Sequence, residues 1–62
     1  MTYNEALSMA EGSKVKFGSH PSPWTFVKHN KSQDTFVFSY PNGLFNKIIA
    51  IPVNQLKNIV LE

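Results

Sequence analysis

A mainly β fold of the α+β kind is predicted: a short helix over residues 2–11, then a five-stranded antiparallel sheet over 14–62 that curls into a small barrel. Three observations carry this. The apolar spacing changes from a helical to a two-residue period at Gly12. The stretch YPNGL is a strong turn signal between two strand-like runs. At 62 residues, with no internal repeat and no linker, the chain has room for one domain with a small core.

The helix has agreeing start and stop signals. Thr2 can cap it, Glu5 stands three residues on to complete a capping box, and Gly12 suits a left-handed position after the last turn. Tyr3, Ala6, Leu7 and Ala10 fall at i, i+3, i+4 and i+7 and give one apolar stripe. So short a helix is not stable alone in water, so the stripe, with Leu7 prominent in it, is expected to pack on the sheet.

From Lys14 onward the pattern is that of strands. KVKF puts Val15 and Phe17 on one side; WTFVKH puts Trp24, Phe26 and Lys28 on one side; TFVFSY does the same with Phe36, Phe38 and Tyr40. NKSQD is a polar connection of hairpin length. In YPNGL, Pro41 and Asn42 suit the two central turn positions and Gly43 a bulge, which would pair Tyr40 with Leu44. LFNKIIAI is the fourth strand, and Pro52 ends it because proline donates nothing to a ladder. PVNQL suits a single 3₁₀ turn, and KNIVLE a short last strand. Five short strands are best protected at their edges by partial closure.

Residues IPVNQLKNI, a strand, a proline, one turn carrying a leucine and a short closing strand, resemble the end of SH3-like small β-barrels. The resemblance covers about residues 14–62 and implies that superfold. The acidic loop after the first strand and the paired tryptophan and tyrosine of true SH3 domains are missing, so binding of proline-rich peptides is not implied. YNEAL, EG.KV and the following Trp24 also resemble small phage-encoded proteins that begin with a helix and then a strand, which implies a viral accessory protein.

The chain has no cysteine, which excludes a disulfide framework and thiolate metal sites and points to a reducing, cytoplasmic setting, the host's if the protein is viral. No apolar run approaches the length of a membrane span, so no membrane role is expected. Charge is uneven: Glu5 and Glu11 are the only charges in the first twelve residues, while residues 13–62 hold six lysines against Asp34 and Glu62, net +4. A positive field of this kind suits an acidic protein or nucleic acid. Arginine is absent, and sequence-specific reading of DNA is chiefly arginine's work.

No catalytic signature is present, so no enzyme and no cofactor are expected. Glu5 and Glu11 sit about 240° apart around a helix axis and cannot work as an acid–base pair. His20 and His29, without cysteine or nearby carboxylates, make no metal site. The eight aromatics are more informative, because Trp24, Phe26, Phe36, Phe38 and Tyr40 fall on two neighbouring strands. If the loop between them pairs Lys28 with Phe36, then Phe26 faces Phe38 and Trp24 faces Tyr40. That stripe is either the barrel core or, at its open end, a shelf that stacks a partner; in the second case Val27, Val37, Phe45, Ile49 and Ile51 would build a core on the opposite face. The candidate binding residues are therefore Trp24, Phe26, Lys28, Phe38, Tyr40 and Lys47. The prolines of PSPWTF, Pro21 and Pro23, stiffen the approach to Trp24 under either reading.

The function expected from these residues is that of a small non-enzymatic module binding another protein, a phage-type accessory or host-modulating factor. The alternative is a weak nucleic-acid binder using Lys14, Lys16, Lys28 and Lys47 with Trp24 and Tyr40. A third reading is an oligomer that captures a small ligand at its interface.

Overall fold

The computed structural model describes residues 1–18 and 22–61. His20, Pro21 and Glu62 lie outside the described residues. The elements follow the order helix α1 (Tyr3–Leu7), strands β1 (Lys14–Phe17), β2 (Trp24–Asn30), β3 (Thr35–Asn42) and β4 (Phe45–Pro52), a 3₁₀ segment (Val53–Asn58), and strand β5 (Ile59–Leu61). The five strands form one antiparallel sheet in the order β4-β3-β2-β1-β5. The sheet is open: β4 and β5 are its two edges.

One face of the sheet carries the core. Val15, Trp24, Phe26, Phe36, Phe38, Ile51 and Ile59 are buried together, and Ala6 and Leu56 join them from α1 and the 3₁₀ segment. Pro52, extended at φ −72° and ψ 161°, ends β4 and starts the 3₁₀ turn that carries Leu56 inward. Phe36 pairs with Ile51 and Phe38 with Ile49. Residues directly opposite in an antiparallel ladder share a face. Phe45, Ile49 and Ile51 therefore lie on the aromatic face and not on the opposite one, which a second core would have required. Only Val27 and Val37 remain there, and Val37 is buried outside the main cluster.

Two registers differ from expectation for identifiable reasons. Phe26 pairs with Phe38, but Lys28 pairs with Val37 and His29 with Phe36. Val27 is an extra residue, a β-bulge, which turns Lys28 to the outer, exposed face and brings His29 onto the core face in its place. At the other end of β3 the turn is one residue tighter than expected. Asn42 pairs with Phe45, and the loop is Gly43-Leu44, with Gly43 at φ +68° in the first central position, where glycine is at least cost. Pro41 is tolerated inside β3 because its nitrogen faces the side where β2 has ended: pairing with β2 stops at Thr25↔Ser39.

Helix α1 is a single turn and a half, not the length to residue 11. Its capping box is present, with Thr2 Oγ1 accepting from Glu5 N at 3.2 Å and Glu5 Oε1 accepting from Thr2 N at 2.8 Å. It stops at Leu7, so Ala10 leaves the stripe and belongs instead to a turn closed by Ser13 N donating to Ala10 O, with Gly12 at φ +90°. Ala6 is the residue that reaches the core; Leu7 is exposed. A helix this short buries one residue, Ala6, and not a stripe.

Candidate interaction surface

The aromatic stripe is the core. Trp24 is only 3% exposed, with Phe17 stacked on one face of its indole at 4.7 Å and Tyr40 on the other at 5.4 Å. Both faces that a shelf would need are already covered by protein. Phe26 and Phe38 are buried as well, edge to face at 5.6 Å. The expected pairing of Phe26 with Phe38 is found; Trp24 and Tyr40 are not ladder partners, since β2–β3 pairing ends at Thr25↔Ser39, but their rings stack, and both contacts build interior. Of the six candidate binding residues, Tyr40 is half-buried and Lys28 and Lys47 are exposed. Those two lysines are on opposite faces: Lys47 lies opposite Tyr40 on the inner face, while Lys28 joins Lys14 and Lys16 on the outer one. Trp24, Phe26 and Phe38 therefore offer no open aromatic face beside these lysines.

A second cluster joins parts of the chain that sequence spacing does not connect. Asp34, at φ +51° in the last loop position before β3, accepts from the Tyr3 hydroxyl at 3.1 Å, and the same Oδ1 lies 3.1 Å from His29 Nε2. His29 stacks flat on Phe36 at 4.5 Å, and Tyr3 meets Phe36 edge-on at 6.1 Å. The hydrogen bond to Asp34 raises the Tyr3 pKa above its ordinary value. A phenol held in that way is a donor and not a nucleophile at neutral pH, so the cluster works as a clasp that ties α1 to the β2–β3 loop.

Large apolar side chains are exposed on α1 (Leu7) and β5 (Val60 and Leu61), and the two most exposed, Leu44 and Phe45, are on the β3–β4 hairpin. Because β2 pairing stops at Thr25↔Ser39, the segment from Tyr40 to Lys47 continues as a two-stranded tongue. At its tip Leu44 is 97% exposed and Phe45 78%; Ile48, at the base of the tongue opposite Ser39 and on the outer face, is 61% exposed. None of these side chains is buried among the described residues, and exposed large apolar groups mark interaction sites. The LF of the fourth strand looks like core in the sequence; what places it in solvent is that the hairpin is longer than the strands beside it.

An open depression of about 470 Å³ lies between α1 and the end of β5. Its one ionisable group, Glu5, is engaged in the capping box, which lowers its pKa. Among the described residues no group of His, Asp or Glu side chains is arranged to hold a metal ion, and no helix is long and apolar enough to cross a membrane. No protein-family model, curated protein or solved structure matches the chain.

Proposed function

We propose that this chain is a small non-enzymatic interaction module that binds another protein, and that the β3–β4 hairpin tip is its contact surface. The observation that carries this is the exposure of Leu44 and Phe45 side by side at the tip of a projecting hairpin, with Ile48 exposed on its outer face. Apolar anchors with a neighbouring lysine, here Lys47, are the composition from which a protein contact draws most of its affinity. The SH3-like reading of the fold is supported by the last strand, β5, pairing back on β1, and by the 3₁₀ segment that buries Leu56 just before it. A phage-type accessory role in the host cytoplasm is the biological setting that goes with the sequence resemblance.

A weak nucleic-acid binder is the second reading, supported by Lys14, Lys16 and Lys28 sharing the outer face of the sheet. The test compares wild type with Leu44→Ser/Phe45→Ser in capture from the native source. Each captured protein is then purified and titrated by calorimetry, and oligonucleotides are titrated in parallel at two salt concentrations. Protein binding that falls at least about tenfold in the variant supports the proposal. Oligonucleotide binding that weakens steeply with salt and ignores the two serines would replace it by the second reading.

A further inference from the structure

We infer that the partner of this hairpin is a second copy of the chain, joined antiparallel along the free edge of β4 about a two-fold axis through Ile48. This rests on reading the β3–β4 hairpin as a docking surface, and it goes further by naming the occupant.

The two-residue turn makes Asn42↔Phe45 the closing hydrogen-bonded pair, and such pairs alternate along an antiparallel ladder. The backbone groups of Phe45, Lys47, Ile49 and Ile51 thus point to β3. Those of Asn46, Ile48 and Ala50 point away from the sheet. β5, the other edge, is three residues long, which is itself a protection; β4 is eight residues long. An uncovered strand of that length is a template for another strand.

A two-fold axis perpendicular to the sheet pairs β4 with its copy antiparallel and keeps core face with core face. With the axis at Ile48, Ile48 meets its own copy and Asn46 meets Ala50, so all three outward-facing residues use both their N–H and their C=O. With the axis at Lys47, the two lysines face one another. With the axis at Ile49 or Ala50, an outward-facing residue is set opposite Pro52, which has no N–H to give. The Ile48 register alone satisfies the edge without a clash of charge.

In that register the exposed Ile48 covers its own copy on the outer face. On the inner face Lys47 lies opposite Ile49 of the copy, so the one charged side chain of β4 meets an apolar residue and not another lysine. Phe45 lies opposite the copy's Ile51, the inner-facing residue that ends the core. The same contact that pairs the free backbone thus removes Ile48 and Phe45 from water.

Sedimentation velocity and light scattering on the purified chain across a concentration series test this directly. Wild type is expected to rise from 7.0 kDa to twice that mass with concentration. Ile48→Lys, which sets two like charges across the axis, should shift the midpoint to at least about tenfold higher concentration. Ala50→Pro removes an N–H that points outward and makes no bond to β3, so it should give the same loss with the circular dichroism spectrum unchanged. It keeps the test decisive if Ile48→Lys fails to fold. A wild type that stays at monomer mass up to about 1 mM overturns the self-pairing. So does a dimer that both substitutions leave intact. If the chain is monomeric but Leu44→Ser/Phe45→Ser still abolishes capture of a purified partner, the docking surface stands and only its occupant was wrong; if neither assay responds, both fail.

Discussion

Replacing Trp24 by alanine sets core against contact in a single measurement. The indole is 3% exposed, stacked between Phe17 and Tyr40, and 6.0 Å from Phe38. Truncating a buried tryptophan costs about 3–5 kcal/mol through lost transfer energy and the cavity left behind, and each lost ring pair adds roughly 0.5–1.5 kcal/mol to the upper end of that range. A chain of 62 residues has about 3–9 kcal/mol of stability in all, at roughly 0.05–0.15 kcal/mol per residue. Trp24→Ala should therefore be unfolded or molten at 25 °C, and Trp24→Phe, which keeps a ring in the stack, should stay folded with a lower melting temperature. Urea denaturation followed by circular dichroism gives the comparison. Tryptophan emission in the wild type should lie at the buried limit and resist acrylamide. A Trp24→Ala chain that keeps its stability to within about 1 kcal/mol, or wild-type emission that acrylamide quenches freely, would refute the placement of this ring in the core.

Two further outcomes follow from the N-terminal segment. Leu7→Ala should cost well under about 1 kcal/mol in urea denaturation, since Leu7 is exposed and Ala6 alone reaches the core, whereas a stripe packed on the sheet would have made the same change cost about 2–4 kcal/mol. The capping box should make the helix start sensitive to acid. Hydrogen bonds from Thr2 backbone and side chain hold the Glu5 pKa below 4.5, so its contribution is present above that pH and is lost as pH falls through the lowered value. The protection of the Thr2 and Glu5 amides from hydrogen exchange, taken relative to their intrinsic rates, should fall over that window in wild type, and Glu5→Gln should remove that pH dependence of the protection.

Most of the sheet was legible because its signals are local. Val15 and Phe17, Trp24 and Phe26, and Phe36 and Phe38 alternate over runs long enough to mark a buried side, and Pro52 marks where β4 must stop. The extra residue at Val27 was not legible, since nothing in FVKH distinguishes a bulge from plain alternation, and one uncounted residue moved Lys28 out and His29 in. PNG permits either a bulged or a two-residue turn, and the choice is made by the pairing of the whole hairpin. Helix length failed for a different reason. Gly12 does take a positive φ, but for the turn at Ala10–Ser13 and not for the end of α1. The candidate surface was the least legible part. Phe45 and Ile48 have core composition, but Phe45 lies beyond the end of β2 pairing and Ile48 faces outward from the edge strand β4. The true core was visible as an aromatic stripe but offered no sign of which rings cover which.

The pairing of β5 with β1 also governs the order in which the fold can form. Val15↔Leu61 and Phe17↔Ile59 join residues 42 to 46 positions apart, whereas β2, β3 and β4 are linked by short hairpins. Loop closure makes the distant contacts late and the meander early. During synthesis from the N-terminus, β1 has only its pairing with β2 until residues 59–61 have left the ribosome, and Val15 and Phe17 stay uncovered on that side for as long. The meander assembles around Phe26, Phe36 and Phe38 first. The last strand then acts as the latch, and the lifetime of the half-built sheet, with two open edges and an uncovered apolar face, is set by how soon it arrives.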